Sequence, residues 1–395
     1  MASSASKAQA PTAARRADSN GMKRMSSWDI EALSAVARYR TVDADGPARA
    51  ILFEHEEFHG EPTEVFAYMG VPRVEDRPVP GMVCVHGGGG RAFKEWVEMW
   101  VGRGYAAIAM DLSGRDGDGN RLANGGPEMD HGAMFSTTLA WQDMWTHHAV
   151  AAAIRANSIL SSLPSVDSAR IGITGISWGG YVTCIAAGVD GRLACAMPVY
   201  GCGFLQRNSA EDWMKIFAAM TPEDRRTWHD ACDPSVYLPE ANMPMLFVSG
   251  TNDFAYPLDI LEMSCALPAG PVTRCVRVGM QHGHEPGWAP REIGAFADQH
   301  LADGPPLPAI EPARLSADRI RSRFSSFRPV QKGDLNYTRC REKWQEREWR
   351  TAPAGLTAGA VEAILPEDVT ACFLSIEDDL GRYVNAPCLE IERGE

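Results

Sequence analysis

The sequence predicts an α/β protein with a mostly parallel, doubly wound sheet. Short continuous apolar runs recur between residues 81 and 278, and each has the length of one strand buried on both faces. Segments of helical character separate these runs, which is the alternation that a parallel sheet covered by helices requires. A Gly-x-Ser-x-Gly sequence at Gly175–Gly179 directly follows one of the runs. This placement puts a serine on a turn between a strand and a helix.

The elements follow one another in a regular order along the chain. Ser27 to Tyr39 predicts a short amphipathic helix with Ser27 as its N-cap. Two β-rich runs at 50–55 and 63–69 are joined by turn residues, which predicts a hairpin. The core elements then alternate, with strands expected at 81–86, 105–110, 170–174, 193–200, 245–249 and 273–278, and helices at 93–102, 141–158, from 180 and at 290–301.

Composition divides the chain into three parts. Residues 1–26 are rich in Ala, Ser, Lys and Arg and contain no apolar stretch, which predicts a disordered tail rather than a secretory signal. Residues 27–301 form the predicted main domain, and the Trp-, Phe- and Met-rich stretch 201–242 within it predicts a helical lid insertion. Over 302–395 we expect a Pro- and Arg-rich linker followed by a small β-rich appendage.

The charge balance excludes some classes of partner. The chain of 395 residues carries 51 acidic and 38 basic residues, a formal net charge of −13. Nucleic acids and anionic membranes require basic surfaces, so neither is expected as the main partner. No apolar run approaches the length of a membrane span. We expect a small-molecule partner and allow for a homo-oligomer.

The ten cysteines predict reduced thiols rather than a disulfide framework. Cys84, Cys184, Cys195 and Cys275 stand inside apolar runs, and no Cys-x-x-Cys or zinc spacing is present. Buried thiols of this kind favour a reducing compartment, so the expected location is cytoplasmic.

Ser177 is the candidate nucleophile. It stands at the centre of the Gly-x-Ser-x-Gly sequence, where a sharp turn would expose its hydroxyl at the end of a strand. Gly175 and Gly179 allow the turn to close, because side chains there would collide with the adjoining strand and helix. A serine hydroxyl is a weak nucleophile, so it needs a base, and the base needs an acid that fixes its tautomer.

Two later segments offer the acid and the base in the order Ser, Asp, His. Asp253 follows an apolar strand in the turn Gly250-Thr-Asn-Asp253, although turn capping is the commoner role of Asp in a loop. His282 follows the last strand closely and is the favoured base. His284 is the alternative base. The histidine that is not the base would either support the active site indirectly or face solvent.

The glycine run His86-Gly-Gly-Gly-Gly90 is the candidate oxyanion loop. Glycines after a strand let the backbone approach a substrate and aim N–H groups at a developing negative charge. The expected donors are the N–H of Trp178 and one from Gly88 or Gly89. A dinucleotide-binding loop is the rival interpretation, but Phe93 stands where its third glycine would fall.

No metal or other cofactor is expected. Asp116-Gly-Asp-Gly-Asn120 resembles the start of a calcium loop, but Pro127 stands where the bidentate acid belongs, so a solvated surface loop is expected instead. His282 and His284 lack a third ligand nearby. Several aromatic residues are candidates for the pocket wall, although such residues more often belong to the core: Trp178, Tyr200, Phe204, Trp213, Phe217, Trp228 and Tyr256.

The four motifs together resemble the acetyl-xylan-esterase-like and dienelactone-hydrolase-like branch of the α/β-hydrolases. They are Gly175-Ile-Ser-Trp-Gly-Gly-Tyr181, His86-Gly-Gly-Gly-Gly90, Gly250-Thr-Asn-Asp-Phe-Ala-Tyr-Pro257 and Met280-Gln-His-Gly-His284. The resemblance covers about residues 50–301 and implies the α/β-hydrolase fold and serine hydrolysis. Dienelactone hydrolases proper use a cysteine nucleophile, and Ser177 in its place favours ordinary carboxylic esters over lactones.

The expected function is therefore hydrolysis of a carboxylic ester through an acyl-enzyme on Ser177. Short acyl groups, with acetylated carbohydrate as one candidate substrate, are implied by the resemblance alone. The Gly-x-Ser-x-Gly-Gly-Tyr sequence is also similar to prolyl-oligopeptidase-type peptidases, so a small-peptide or amide hydrolase is an alternative, although their large N-terminal propeller is absent here. A non-catalytic binding protein of the same fold is the third hypothesis, and the complete Ser, Asp and His set argues against it.

Overall fold

The computed structural model describes residues 28–73 and 77–391. Its largest element is a nine-stranded sheet through residues 39–277. The strands are β1 Tyr39–Asp43, β2 Ala48–Glu54, β3 Glu64–Gly70, β4 Val79–Val85, β5 Ala106–Met110, β6 Val166–Ile176, β7 Cys195–Val199, β8 Met245–Gly250 and β9 Val272–Arg277.

The sheet is antiparallel at one side and parallel over the rest. Its order is β1-β2-β3-β5-β4-β6-β7-β8-β9. The first three strands and β5 pair antiparallel, and every pair from β5 to β9 is parallel. Strands β4, β5, β7 and β8 are buried along their whole length, as expected for strands covered on both faces. The predicted fold class and the predicted hairpin, β2 with β3, are confirmed.

Helices connect and cover the strands of this sheet. They are α1 Ile30–Ser34, α2 Lys94–Gly102, α3 His131–Met134, α4 Trp145–Ser161, α5 Trp178–Val189, α6 Glu211–Ala219, α7 Pro222–Cys232, α8 Leu258–Cys265, α9 His284–Trp288 and α10 Arg291–Leu301, with single 3₁₀ turns at Trp141–Asp143, Pro234–Val236, Leu238–Glu240 and Trp344–Glu346. Helices α4 and α5 pack on each other and on β6, while α2 packs on β5 and α10 on β6. No described helix is both long and apolar enough to cross a membrane.

The N-terminal region differs from its prediction. The helix is shorter than expected: α1 begins after Asp29, whose carboxylate caps it by accepting from the Ala32 N–H, and ends at Ser34. Tyr39 starts strand β1 because it pairs antiparallel with Phe53 of β2. The predicted N-cap Ser27 and the predicted tail 1–26 lie outside the described residues.

The stretch 201–242 between β7 and β8 is helical, as predicted for a lid insertion. It contains α6 and α7, and α7 has a strong local start signal. Thr221 caps it by accepting from the Asp224 N–H, and Pro222 occupies the first turn, where a missing N–H costs nothing. The insertion places Trp213 and Phe217 of α6 and Trp228 of α7 in buried positions.

The C-terminal part contains ten strands in two sheets. They are β10 Ala309–Ile310, β11 Arg314–Ser316, β12 Arg319–Ser325, β13 Val330–Thr338, β14 Trp349–Pro353, β15 Gly355–Thr357, β16 Ala360–Ile364, β17 Ala371–Asp378, β18 Tyr383–Asn385 and β19 Leu389–Glu390. One sheet contains β10, β11, β12, β15 and β16, and the other contains β13, β14, β17, β18 and β19.

Strands therefore begin within the segment that composition predicts as a linker. Strand β12 alternates exposed arginines with buried Ile320 and Ser322, so the arginines mark the outer face of a strand. The overall abundance of Arg and Pro conceals this period of two. We refer to residues 309–391 as the β domain.

Candidate active site

Ser177 lies on the turn between β6 and α5. Its backbone has φ 59° and ψ −119°, a strained conformation for a residue with a side chain. Two glycines make the turn sterically feasible. A Cβ on Gly175 would approach the Gly179 carbonyl oxygen to 2.2 Å, and one on Gly179 would approach the Val85 carbonyl oxygen to 1.9 Å. The helix begins at Trp178 rather than at the predicted Gly180 because Tyr181 N–H already bonds to the Ser177 carbonyl at 2.9 Å.

Asp253 follows β8 and is buried, with 1% of its surface exposed. Its Oδ1 accepts hydrogen bonds from the N–H groups of Ala255 at 2.9 Å and Tyr256 at 2.7 Å. Its Oδ2 lies 2.7 Å from Nδ1 of His282. The two backbone donors fix one oxygen, so the other oxygen faces the histidine in a single orientation.

His282 follows β9 and is half-buried. Because Nδ1 donates to Asp253, the neutral ring carries its free lone pair on Nε2, which is the tautomer that a general base requires. Tyr200 stacks on the ring with centroids 4.5 Å apart, and its hydroxyl donates to the Gln281 carbonyl at 2.6 Å. The imidazole is thus held by a carboxylate at its edge and by an aromatic ring on its face.

His284 lies in a different place from His282. Its Nε2 accepts a hydrogen bond from the Gly87 N–H at 3.1 Å, and its ring packs between Phe93 and Trp288. Burial lowers the pKa of His284 to about 4, helped by the neighbouring His86 and His282. The ring is therefore neutral near pH 7 and can accept the Gly87 hydrogen. The two candidate bases of the sequence are separated, since only His282 contacts Asp253.

The glycine loop after β4 runs beside Ser177. A Cβ on Gly87 would lie 2.8 Å from the Ser177 Cβ, so the two backbones are in direct contact. His86 is buried beneath the loop, where Nδ1 donates to the Gly87 carbonyl at 2.8 Å and Nε2 accepts from the Leu112 N–H at 2.9 Å. The loop is therefore tied down at Gly87 on both its N–H and its carbonyl.

The predicted oxyanion donors occupy suitable places on this loop and on the turn. Gly88 and Gly89 are exposed, and their N–H groups have no hydrogen-bond partner among residues 28–73 and 77–391. A Cβ on Gly88 would lie 3.3 Å from the Trp178 ring. The Trp178 N–H is the first of α5, at the positive end of the helix. Which glycine would donate stays a prediction.

An aromatic cluster fills the space on one side of Ser177. Trp178 packs against Trp213 of the lid with centroids 4.5 Å apart, and Tyr256 contacts both rings. Phe135, which the sequence does not single out, lies at the centre and contacts Trp178 and three lid rings. The predicted wall residues Phe217 and Trp228 belong to this cluster, whereas Tyr200 lies on His282 and the half-buried Phe204 packs against the core.

A polar cleft of about 430 Å³ opens at the other end of the glycine loop. Gly89, Gly90 and Phe93 line it on the loop side. The rest of its lining includes Asp111, Ser113, Arg115 and Glu128. Asp111 is buried, and its Oδ2 has no hydrogen-bond partner among the described residues. Burial raises the pKa of this carboxyl, which the His86 ring and backbone N–H groups only partly offset.

No sequence motif singles out Asp111, although its position after a strand is a signal. It follows β5 directly, and functional groups of parallel sheets gather at the carboxyl ends of strands. In the predicted surface loop, Asp116 Oδ1 accepts from the N–H groups of Asp118 and Asn120, which is ordinary turn capping. Within the described part of the chain, no cluster of three His, Cys, Asp or Glu side chains could hold a metal ion.

Residues 31–208 match the family model of the acetyl xylan esterases. This segment includes the glycine loop and Ser177. The chain has the α/β-hydrolase fold, and over residues 31–208 it is similar to the acetyl xylan esterases. The predicted family resemblance and the predicted class of enzyme, a carboxylic ester hydrolase, are thereby confirmed. Asp253 and His282 lie beyond the matched segment, so their assignment depends on the geometry described above.

Solved structures show the same fold in other α/β-hydrolases. An acetyl xylan esterase from Paenibacillus sp. R4 is 21% identical with a TM-score of 0.58, covering 69% of this chain and 92% of its own. Acetyl xylan esterase 1 from Thermoanaerobacterium sp. JW/SL YS485 is 16% identical with a TM-score of 0.55, covering 70% and 93%. An acylaminoacyl peptidase from Pyrococcus horikoshii is 20% identical with a TM-score of 0.50, covering 65% and 42%. No curated protein matches this chain.

Proposed function

We propose that this α/β-hydrolase removes short acyl groups, acetyl first among them, from hydroxyl-rich alcohols such as a carbohydrate. The observation that carries the proposal is the contrast between the aromatic cluster around Trp178 and the polar cleft beside the glycine loop. In the packed aromatic cluster, Trp178 and Trp213 are 6% and 7% exposed. The polar cleft is lined in part by Gly89 and Gly90 of that loop.

The aromatic cluster limits the acyl group. Packed rings leave little room for a chain of several methylenes, and making that room would mean moving Trp213, which contacts both Trp178 and Tyr256. An acetyl group needs space for a single methyl. We therefore assign the acyl side to the cluster and expect acetyl esters to be preferred.

The polar cleft suits the leaving alcohol. Its lining offers guanidinium donors, carboxylate acceptors and the Ser113 hydroxyl, a mixture that can hydrogen-bond to several hydroxyl groups at once. The unpartnered Oδ2 of Asp111 is a buried polar atom for which a substrate hydroxyl would supply a missing partner. These features favour a hydroxyl-rich leaving group over an apolar one.

The proposed reaction proceeds in two halves. Ser177 Oγ attacks the ester carbonyl while His282 Nε2 accepts the hydroxyl proton, and Asp253 stabilises the imidazolium that results. The N–H groups of Trp178 and of Gly88 or Gly89 bind the oxyanion. The intermediate collapses, His282 returns the proton to the alcohol, and the acyl group remains on Ser177. Water then repeats the sequence and releases the acid.

The test is turnover of p-nitrophenyl acetate and of acetylated xylo-oligosaccharide by wild type and by Ser177→Ala. We expect rapid release of acetate by the wild type and loss of at least about 10⁴-fold in kcat for the variant. Equal rates in both proteins would refute the hypothesis of an esterase acting through Ser177 and favour the binding-protein hypothesis. Faster cleavage of aminoacyl amides than of acetyl esters would instead favour an amide hydrolase.

The cellular location is part of the same proposal. We propose that the protein works in the reducing cytoplasm, as a partner of small-molecule esters rather than of nucleic acid or membrane. All ten cysteines are free, and eight of them are buried. Burial raises the pKa of Cys195 to about 12, so its thiol is inert. Fractionation of the source cells with detection of the enzyme would test the location.

A further inference from the structure

We infer that Asn252 is a positioning residue through which the β domain holds the acid and the base of the active site in place. The inference rests on the proposed function of Asp253 and His282. Asn252 immediately precedes Asp253 and is half-buried. Its Nδ2 donates to two backbone carbonyls of the β domain, Gln345 at 3.1 Å and Arg347 at 2.7 Å.

The oxygen of the Asn252 amide is connected, through Thr251, to the loop that carries His282. Thr251 Oγ1 donates to Asn252 Oδ1 at 2.9 Å, and the Gly279 N–H donates to Thr251 Oγ1 at 3.3 Å. Gly279 lies three residues before His282. One side-chain amide and one hydroxyl thus connect the β domain, the acid loop and the base loop. Thr251 is fully buried, so water cannot replace its bonds.

The turn of the β domain that accepts hydrogen bonds from Asn252 is anchored by aromatic packing. It contains the 3₁₀ turn Trp344–Glu346, where the Arg347 guanidinium lies 3.6 Å over the Trp344 ring. Trp344 stacks on Trp349 of β14, and Trp349 packs on Phe373 of β17. The two carbonyls are therefore carried by side chains anchored in the sheet of the β domain, and they form a fixed support rather than a loose loop.

A second contact of the β domain supports the strand that leads to His282. Strand β9 is the last of the nine-stranded sheet, so one of its edges lacks a neighbouring strand. Asn385 Oδ1 accepts from the Val276 N–H at 2.6 Å, and the Tyr383 hydroxyl donates to the Val276 carbonyl at 3.0 Å. These two side chains of β18 make the hydrogen bonds that a tenth strand would make, at the second-last residue of β9.

Catalysis is sensitive to this support because the Asp253 carboxylate and the His282 ring must meet within hydrogen-bond distance. A displacement of about 1 Å in a reacting group can lower the rate about 100-fold. The recorded side-chain hydrogen bonds of Asn252 go to Thr251, Gln345 and Arg347, and not to Ser177 or His282. Loss of Asn252 should therefore lower kcat and leave KM unchanged.

The experiment compares Asn252→Ala, Asn252→Asp and Thr251→Val with wild type in the full chain. Asn252→Asp keeps the acceptor for Thr251 and replaces the donor to the β domain with a charged oxygen, whereas Asn252→Ala removes both without adding a charge. The matched control is Asn242→Ala, which deletes an exposed amide that donates to the Glu240 carbonyl at 2.7 Å. Rates are measured with p-nitrophenyl acetate and divided by the amount of Ser177 that reacts with a phosphonate, so that unfolded protein does not count.

We expect kcat per titrated site to fall about 10- to 100-fold in the Asn252 and Thr251 variants, with unchanged KM. Asn242→Ala should match wild type. Wild-type kcat in a folded Asn252→Asp protein would overturn the inference, because the contact with the β domain would then be dispensable. Loss of folding in all three variants would also overturn it, since Asn252 would then support the fold and not the active site.

The same measurements keep this inference separate from the proposed function. If wild type and Ser177→Ala release acetate equally fast, the proposed function fails before any Asn252 variant is compared. If Ser177→Ala is inactive while the Asn252 variants match wild type, only the positioning role fails.

Discussion

The two halves of the active site are held in place by different means. The nucleophile and the glycine loop are fixed from within the α/β-hydrolase domain, by steric limits at Gly175 and Gly179 and by His86 beneath the loop. The acid and base loops are also fixed from outside, by carbonyls and side chains of the β domain.

This difference separates local from distant causes of catalytic geometry. The nucleophile turn can be recognised from a few consecutive residues because its shape follows from glycines at fixed positions. The segments that carry Asp253 and His282 make hydrogen bonds to β-domain residues 93 to 109 positions away in the chain. Changes in the β domain should therefore affect proton transfer more than oxyanion binding.

The largest expected effect comes from removing the base. We expect His282→Ala to lower kcat for p-nitrophenyl acetate by about 10⁴-fold or more, because the variant lacks the proposed acceptor of the Ser177 proton. The control for a generic loss of an imidazole is His59→Ala, because His59 is exposed and distant in sequence from His282. Near-full activity of His282→Ala would show that the base has been misassigned.

Asp253→Asn should come next in size. The amide keeps the volume of the side chain but can present a donor to Nδ1, which favours the wrong tautomer of His282. We expect kcat to fall by about 10⁴-fold with an unchanged melting temperature. A loss below about tenfold, in a protein that titrates fully with a phosphonate, would contradict the role of Asp253 as the acid.

His284→Ala tests the oxyanion half alone. The substitution removes the acceptor of the Gly87 N–H, so the glycine loop loses one of its anchors. We expect kcat to fall about 10- to 100-fold, less than for the loss of a direct oxyanion donor. Binding of a boronic acid that mimics the tetrahedral intermediate should weaken by a similar factor. Unchanged boronate affinity would show that the loop does not need His284.

Trp213→Ala probes the acyl side of the site. We expect the preference for acetyl over butyryl esters to fall about tenfold, because the variant opens space beside Trp178. The cavity should also cost about 3–5 kcal/mol of stability. Trp228→Ala is a matched control, since it removes a ring of the same lid that packs on Phe135 and Phe217 rather than on Trp178. An equal change of preference in both variants would contradict the assignment.

The smallest effect concerns stability in acid. Burial lowers the pKa of His148 and of His284 to about 4, from about 6.5 in the unfolded chain. Between pH 4 and pH 6.5 the unfolded state binds protons that the folded state does not bind. The free energy of unfolding is therefore at its full value above about pH 6.5 and decreases as the pH falls towards 4. Melting temperatures over this range should show the decline, with a shallower slope for His148→Phe. Equal slopes would exclude His148 as a contributor.

The sequence was sufficient for the fold, and two of its candidate site residues, Asp253 and His282, lie in contact in the structure. Alternating apolar runs identified the parallel strands, because burial on both faces leaves a continuous apolar pattern. The order of Ser177, Asp253 and His282 followed from where each stands relative to a strand end. The sequence alone leaves the choice between His282 and His284 open, because two residues of one loop can face opposite directions.

What the sequence did not predict depends on contacts between distant segments. In the sequence Asn252 is an ordinary turn residue. Its contacts with the carbonyls of Gln345 and Arg347 exist only in the folded chain. Phe135 has no local signal either, since its position among lid rings arises only after the insertion folds back. The strands of the β domain were partly hidden because exposed arginines on β12 resemble the composition of a linker.

The segment His282–Gly283–His284 reaches both halves of the active site within three residues. One end meets Asp253 and the other meets the glycine loop, so the segment acts as a spacer between the base and the oxyanion donors. An insertion or deletion of one residue here would displace one half relative to the other. The lid and the loops around the polar cleft have no such restriction on length. As chains of this architecture diverge towards new substrates, their length changes should accumulate in those loops and spare the interval between the two histidines.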